Sequence, residues 1–123
     1  MKKALGIILA TLWISISEFV RNEFLLKDYW HEHYQMLGMD FPDSPINGAV
    51  WGFWSLLFAI FLYLLSRRFN FWGTSLVGWF AAFLMMWVAT ANLGVLPFGV
   101  LFAAIPLSLV ESIVATWIIS RFD

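Results

Sequence analysis

There is no cysteine anywhere in the 123 residues. Disulfide bonds, thiol catalysis and every Cys-ligated zinc or iron–sulfur centre are therefore excluded, and the redox compartment is left open. Charge is the second scarcity. Charged residues make up 12% of the chain, where a soluble domain carries about a quarter. Seven Lys and Arg against eight Asp and Glu leave a net charge of −1, so the clustered basic surface that grips nucleic acid is missing. No P-loop, dinucleotide fingerprint, nucleophile elbow or HExxH string occurs, and HEHYQ lacks the second His at i+4 that a zincin helix needs. Nothing calls for a cofactor, and the reading is non-enzymatic.

What the chain has in abundance is apolar and aromatic surface: 62% hydrophobic, 20% aromatic, eight Trp and thirteen Phe. This is a membrane composition. Four apolar stretches cover 4–22, 47–66, 71–91 and 97–119, each close to the ~20 residues that cross a hydrocarbon core as a helix. None alternates every second residue as a barrel strand would. Lys2, Lys3, the run from Ala4, and Ser15 and Ser17 resemble a secretory leader. The stretch is read as a first membrane helix. The expected fold is all-α: a single domain, residues 1–123, of four transmembrane helices in an antiparallel bundle. A long loop, 23–46, is closed by FPDSPING, whose prolines and glycine stop a helix.

Basic residues orient the bundle. With both termini inside, Lys2, Lys3, Arg67, Arg68 and Arg121 lie on the cytoplasmic face, five against the two outside, Arg21 and Lys27. The sequence thus predicts N-in, C-in, in a bacterial-type inner membrane, with an acidic outer loop carrying Glu23, Asp28, Glu32, Asp40 and Asp43. Trp30 and Trp51 then fall at the outer boundary and Trp72 and Trp117 at the inner one, as interface anchors. Gly48 and Gly52 form a GxxxG, and Gly78 and Ala82 a small-xxx-small pair. Both suit close packing within the chain or, for a homo-oligomer, between copies.

The polar residues inside the spans need a reason. Thr11, Ser15, Glu18 and Asn22 recur at four, three and four, one stripe on an apolar helix. Ala104, Ser108, Glu111 and Ala115 repeat that spacing in the fourth span. At 1.5 Å per residue Glu18 lies roughly 22 Å above the cytoplasmic boundary and Glu111 roughly 15 Å, near the midplane. An acid there costs about 2–3 kcal/mol even on the lenient insertion scale, so it should face the interior and find a partner or carry a proton. Antiparallel packing would set Glu111 level with Thr11 and Ser15, and Glu18 level with Ser108. Ser55 from the second span, with Trp51, Trp54, Trp87 and Met85–Met86, would complete one site of carboxylates and hydroxyls walled by rings. Pro106, five residues before Glu111, frees a backbone carbonyl and bends the helix toward the site.

Plainer roles exist for the same residues. Glu18 can be satisfied by Arg21 or Asn22 at i+3 and i+4, with Arg21 reaching outward to the interface. Glu111 can bond Ser15 as interhelical glue. His31 and His33, with the loop acids, supply ligand types for a metal. In a helix, however, side chains two apart diverge by about 200° and cannot share an ion. A helix over 23–37, with Glu23 and Lys27 paired at i+4 and Phe24, Leu25, Tyr29 and Leu37 on one side, would instead lie on the outer membrane surface.

The four-span layout with an acid in the first span resembles the small multidrug resistance transporters, which are of similar length and use such a carboxylate for proton-coupled drug binding. This chain departs from them in its firm charge bias, its long outer loop, a second acid at Glu111, and the lack of their third-helix pattern. KDYWHEHYQMLG and INGAVWGFW are similar to segments of small bacterial four-helix inner-membrane proteins. That resemblance implies the fold and no activity. The function expected from the residues is binding or transport of a small cationic or lipophilic ligand linked to protonation of Glu18 and Glu111. The alternatives are an accessory or scaffold subunit of a membrane complex, and an outer-surface metal enzyme using His31 and His33. Membrane lipids are the expected surroundings in every case.

Overall fold

The structure, a computed structural model, describes residues 2–123, and among these no strand occurs. Five helices account for the chain: α1 Lys2–Leu25, α2 Lys27–Met36, α3 Pro45–Ser66, α4 Phe71–Asn92 and α5 Phe98–Arg121. All but α2 are long and apolar enough to cross a membrane. The chain thus has the architecture of a multi-pass membrane protein, and the four expected spans hold with shifted ends. The first runs on through Leu25, the second begins at Pro45, and the fourth begins at Phe98.

Local chemistry sets those ends. At α3, Pro45 occupies the first helical position, where its missing N–H costs nothing, and Ser44 donates from both N and Oγ to Asn47 Oδ1, at 3.1 and 2.7 Å. The Asn70 side chain caps α4 by accepting from the Gly73 N–H at 2.7 Å. Gly94 ends α4 with φ +77°, and Val95 N–H reaches back to the Thr90 carbonyl, a closure that favours glycine.

The spanning helices form a ring in which α1 and α4 each pack against both α3 and α5. Neighbours run antiparallel. Gly6 of α1 meets Ile119 and Phe122 at the end of α5, whereas Trp13 reaches the Glu111 backbone halfway up. Leu62 of α3 sits on Gly78 of α4 so closely that a Cβ there would collide with its Cδ2. The Gly78 half of the small-residue expectation therefore stands as packing within the chain. Gly48 and Gly52 do not pack: nothing lies within 4 Å of where their Cβ atoms would be. The buried residues of α3 begin only at Ser55, so its first two and a half turns stand away from the bundle core.

Two helices change pitch. Residues Val20–Leu25 of α1 and Phe80–Leu84 of α4 form π-helical turns. The inward residues of α1 step by four through Gly6, Ala10, Ile14 and Glu18; the next buried pair, Arg21 and Leu26, is spaced by five. In α4 the inward residues jump from Gly78 to Phe83. An inserted residue of this kind turns a helix face locally by most of a third of a turn. It also removes the regular i+4 register that would have paired Glu23 with Lys27, and no such ion pair forms.

The helix α2 buries none of its residues and lies across the end of the bundle. His33 Nε2 is 2.8 Å from the Gly94 carbonyl, and the Tyr29 ring covers Gly99. If the contact at Gly78 closes the α3–α4 interface, Gly78→Ala should destabilise the protein by about 1–3 kcal/mol through overpacking. Gly48→Ala, which meets only open space, should cost nothing. Thermal unfolding of the two variants in detergent checks the pair.

Candidate functional site

The centre of the bundle is a buried ion triad. Arg21 Nη2 binds Glu18 Oε2 at 2.7 Å, and Nη1 of the same guanidinium binds Glu111 Oε1 at 3.2 Å. Glu111 is 0% exposed, Arg21 5% and Glu18 6%. The expected outward course of Arg21 is therefore wrong. At i+3 from Glu18 and i+7 from Ile14 it lies on the inward face of α1, where Phe83, set inward by the π turn of α4, lies beneath the guanidinium at 5.3 Å from its ring centroid. The aromatic face offers partial negative charge to a cation that has left water. Arg21 is the central residue that sequence reasoning placed at the surface. The signal that would have found it is the unmet demand of Glu111 for a cation, together with apolar residues continuing past Asn22 at Phe24, Leu25 and Leu26.

A polar chain links the triad to α2. Asn22 Nδ2 donates to Glu18 Oε2 at 3.1 Å, and Trp30 Nε1 donates to Asn22 Oδ1 at 3.1 Å. Below the triad, Trp13 Nε1 donates to the Glu111 carbonyl at 2.9 Å. Ser108 does not meet Glu18; it accepts from Trp79 Nε1 at 2.8 Å, and Ser112 donates to the Ser75 carbonyl, so both tie α5 to α4. Each acid keeps one buried oxygen, Glu18 Oε1 and Glu111 Oε2, without a hydrogen-bond partner among the described residues. Two carboxyls and one guanidinium thus share an enclosed volume, and each acid has one oxygen free.

Above the triad lies a cavity of about 670 Å³. Its floor is Glu18, Arg21 and Asn22; Ser15, Ser55, Trp51, Met86 and Trp87 stand in its walls, with Trp30, Tyr34 and Phe41 at the end nearest α2. Of the residues expected to share one site, Glu18, Ser15, Ser55, Trp51 and Trp87 are therefore gathered here. Glu111, Ser108 and Trp54 are not on the wall. Glu111 is sealed one step below, bonded to Arg21. Trp54 stands behind, its ring 5.7 Å from those of both Trp51 and Phe83. Met85 faces outward, leaving Met86 alone at the wall. Glu111 bonds Arg21 in place of the Ser15 expected as its glue.

The histidines are elsewhere. His31 stacks on Phe41 with centroids 4.9 Å apart, while His33 points to Gly94. Among the described residues no three His, Asp or Glu side chains converge as ligands for an ion. Compared with known proteins, the chain matches no protein-family model, no curated protein and no solved structure. What the site does has to be read from its chemistry.

Removing the shared cation should be severe. Arg21→Met leaves two buried acids facing each other and should cost about 3–5 kcal/mol, the range for breaking a buried pair from one side. The triple variant Arg21→Met/Glu18→Gln/Glu111→Gln should regain most of that loss. Unfolding of the wild type and these two variants in detergent tests whether the three residues act as one unit.

Proposed function

We propose that the protein is a small inner-membrane binding or transport protein whose triad exchanges a proton for a cationic ligand. The observation that carries this reading is the imbalance of the triad, two carboxyls to one guanidinium, with Glu18 and Arg21 on the floor of the cavity. In a low-dielectric layer, one more positive charge is needed for neutrality, and a proton or a bound cation supplies it equally well. Aromatic walls beside a carboxylate favour an organic cation over a bare inorganic one. Glu18 is the group that touches the ligand; Glu111 acts through Arg21 by setting how strongly the guanidinium holds Glu18.

The ends of the bundle support an N-in, C-in orientation. Lys2, Lys3, Arg67, Arg68 and Arg121 lie at one end, where Arg67 and Asp123 approach to 3.5 Å. With Arg21 inside the bundle, Lys27 is the only basic residue at the other end, so the charge bias is stronger than a count along the chain suggests. On this orientation α2 lies at the outer surface of the membrane. Because the chain has no cysteine, Asp40→Cys and Phe69→Cys give single reporters. An impermeant maleimide added to intact cells should label the first and leave the second unlabelled until the membrane is permeabilised.

Proton–cation exchange has a definite pH signature. The acid must lose its proton before it accepts the ligand, so affinity rises with pH. Below the titration of the controlling acid the apparent Kd should fall about tenfold per pH unit. Titrating purified protein with an alkylammonium probe over a series of pH values should show affinity rising with pH in the wild type and a flat profile in Glu18→Gln. A scaffold subunit whose acids only hold helices together would show lower thermal stability in Glu18→Gln and no binding at any pH.

A further inference from the structure

We propose that the occupant of the cavity is a membrane amphiphile with a single organic ammonium head, which enters sideways from the lipid through the gap between α1 and α3. The proposal rests on the proton–cation reading of Glu18 and names the class and the route of its ligand. The route follows from where the cavity is open. At the end nearest α2 it is lined by the rings of Trp30, Tyr34 and Phe41. On its flank, Gly48 and Gly52 present bare backbone to the cavity with no neighbour within 4 Å of either Cβ position. The cavity-lining residues on either side of that gap, Phe19 and Trp51, are also exposed on the outer surface of the bundle. The gap lies in the first turns of α3, a helix long and apolar enough to cross a membrane, and the side chains bordering it are apolar rings.

Size and charge fix the ligand class. A water molecule occupies about 30 Å³, so a 670 Å³ cavity is far larger than one inorganic ion and has room for a head group and the start of a chain. Its acids, Glu18, Glu23 and Asp43, outnumber its one cation, and Arg21 is already bound to two carboxyls. Glu18 Oε1, buried and without a partner, asks for an N–H donor. A carboxylate with tryptophan rings beside it recognises an ammonium group, and it disfavours a phosphate or carboxylate head. The tail lies where Phe19 and Trp51 border the gap.

The test uses the full chain in phosphatidylcholine nanodiscs and reads tryptophan fluorescence during titration with three probes. Dodecylamine has head and tail, butylamine the head alone, and dodecanol the tail alone. Dodecylamine should give a saturable change, butylamine should need about a hundredfold higher concentration, and dodecanol should give none. Gly52→Leu, which plugs the gap, should weaken dodecylamine about tenfold or more. Gly48→Leu provides a second plug if the first fails to fold, which circular dichroism shows. Equal binding of butylamine and dodecylamine, unaffected by both plugs, overturns entry from the lipid while leaving proton–cation exchange standing. Dodecylamine binding that survives Glu18→Gln, or no binding of either amine, overturns both. If the plugs shift the oligomeric state in light scattering while wild-type protein ignores dodecylamine, the gap is an interface between copies and the proposal is wrong.

Discussion

One guanidinium holds two carboxyls at the centre of this bundle, and most of the other unusual features stand around that arrangement. Arg21 binds Glu18 within α1 and Glu111 across to α5, with all three nearly or wholly out of contact with solvent. Desolvating three ionisable groups is costly, and their mutual attraction offsets that cost only when the geometry is close and the remaining polar atoms are served. The structure meets this demand from several sides. Asn22 supports Glu18, Phe83 lies under the guanidinium, and Trp13 ties down the Glu111 backbone. Only the second oxygens of the two acids are left over, and the proposed chemistry uses one of them.

The π turns belong to the same arrangement. A uniform α-helix repeating 6, 10, 14, 18 would not bring both Arg21 and Leu26 inward, nor would an unbroken α4 bring both Gly78 and Phe83 inward. Each helix takes one extra residue at the level of the triad, and the two insertions face each other through Arg21 and Phe83. Gly78 then closes α3 onto α4 below that level, whereas Gly48 and Gly52 leave α3 apart from its neighbours above it. The bundle is tight in the half that holds the termini and open in the half that holds α2.

The spans were legible because a bilayer imposes a length, and a chain with four apolar runs of that length has few other ways to fold. The two acids were legible because charge inside such a run always needs an explanation. Arg21 was not. Its neighbours Asn22 and Glu23 made it look like the polar end of a span, although its spacing from Ile14 and Glu18 puts it on their face; what has no simple compositional mark is the π turn that brings Leu26 inward after it. The glycines of α3 misled for a related reason. GxxxG allows a close approach but does not supply the neighbour, and here the same absence of Cβ atoms widens a cavity. Ser108 and Trp54 carried the right depth and the wrong azimuth, since spacing along a helix fixes which residues share a face but not which helix that face meets.

The distance along the chain between the partners of the triad bears on how the protein is made. Glu18 and Arg21 are three residues apart, so α1 carries its acid and base as a local pair and can enter the bilayer nearly neutral. Glu111 comes ninety residues later, on the last span, and its cation waits on the first. That helix is inserted with an acid that has no partner of its own, and it is satisfied only by docking against α1. Docking of α5 against α1 is thus what completes the ion triad. A chain cut short before α5 keeps three spans and a central base with only one of its two acids.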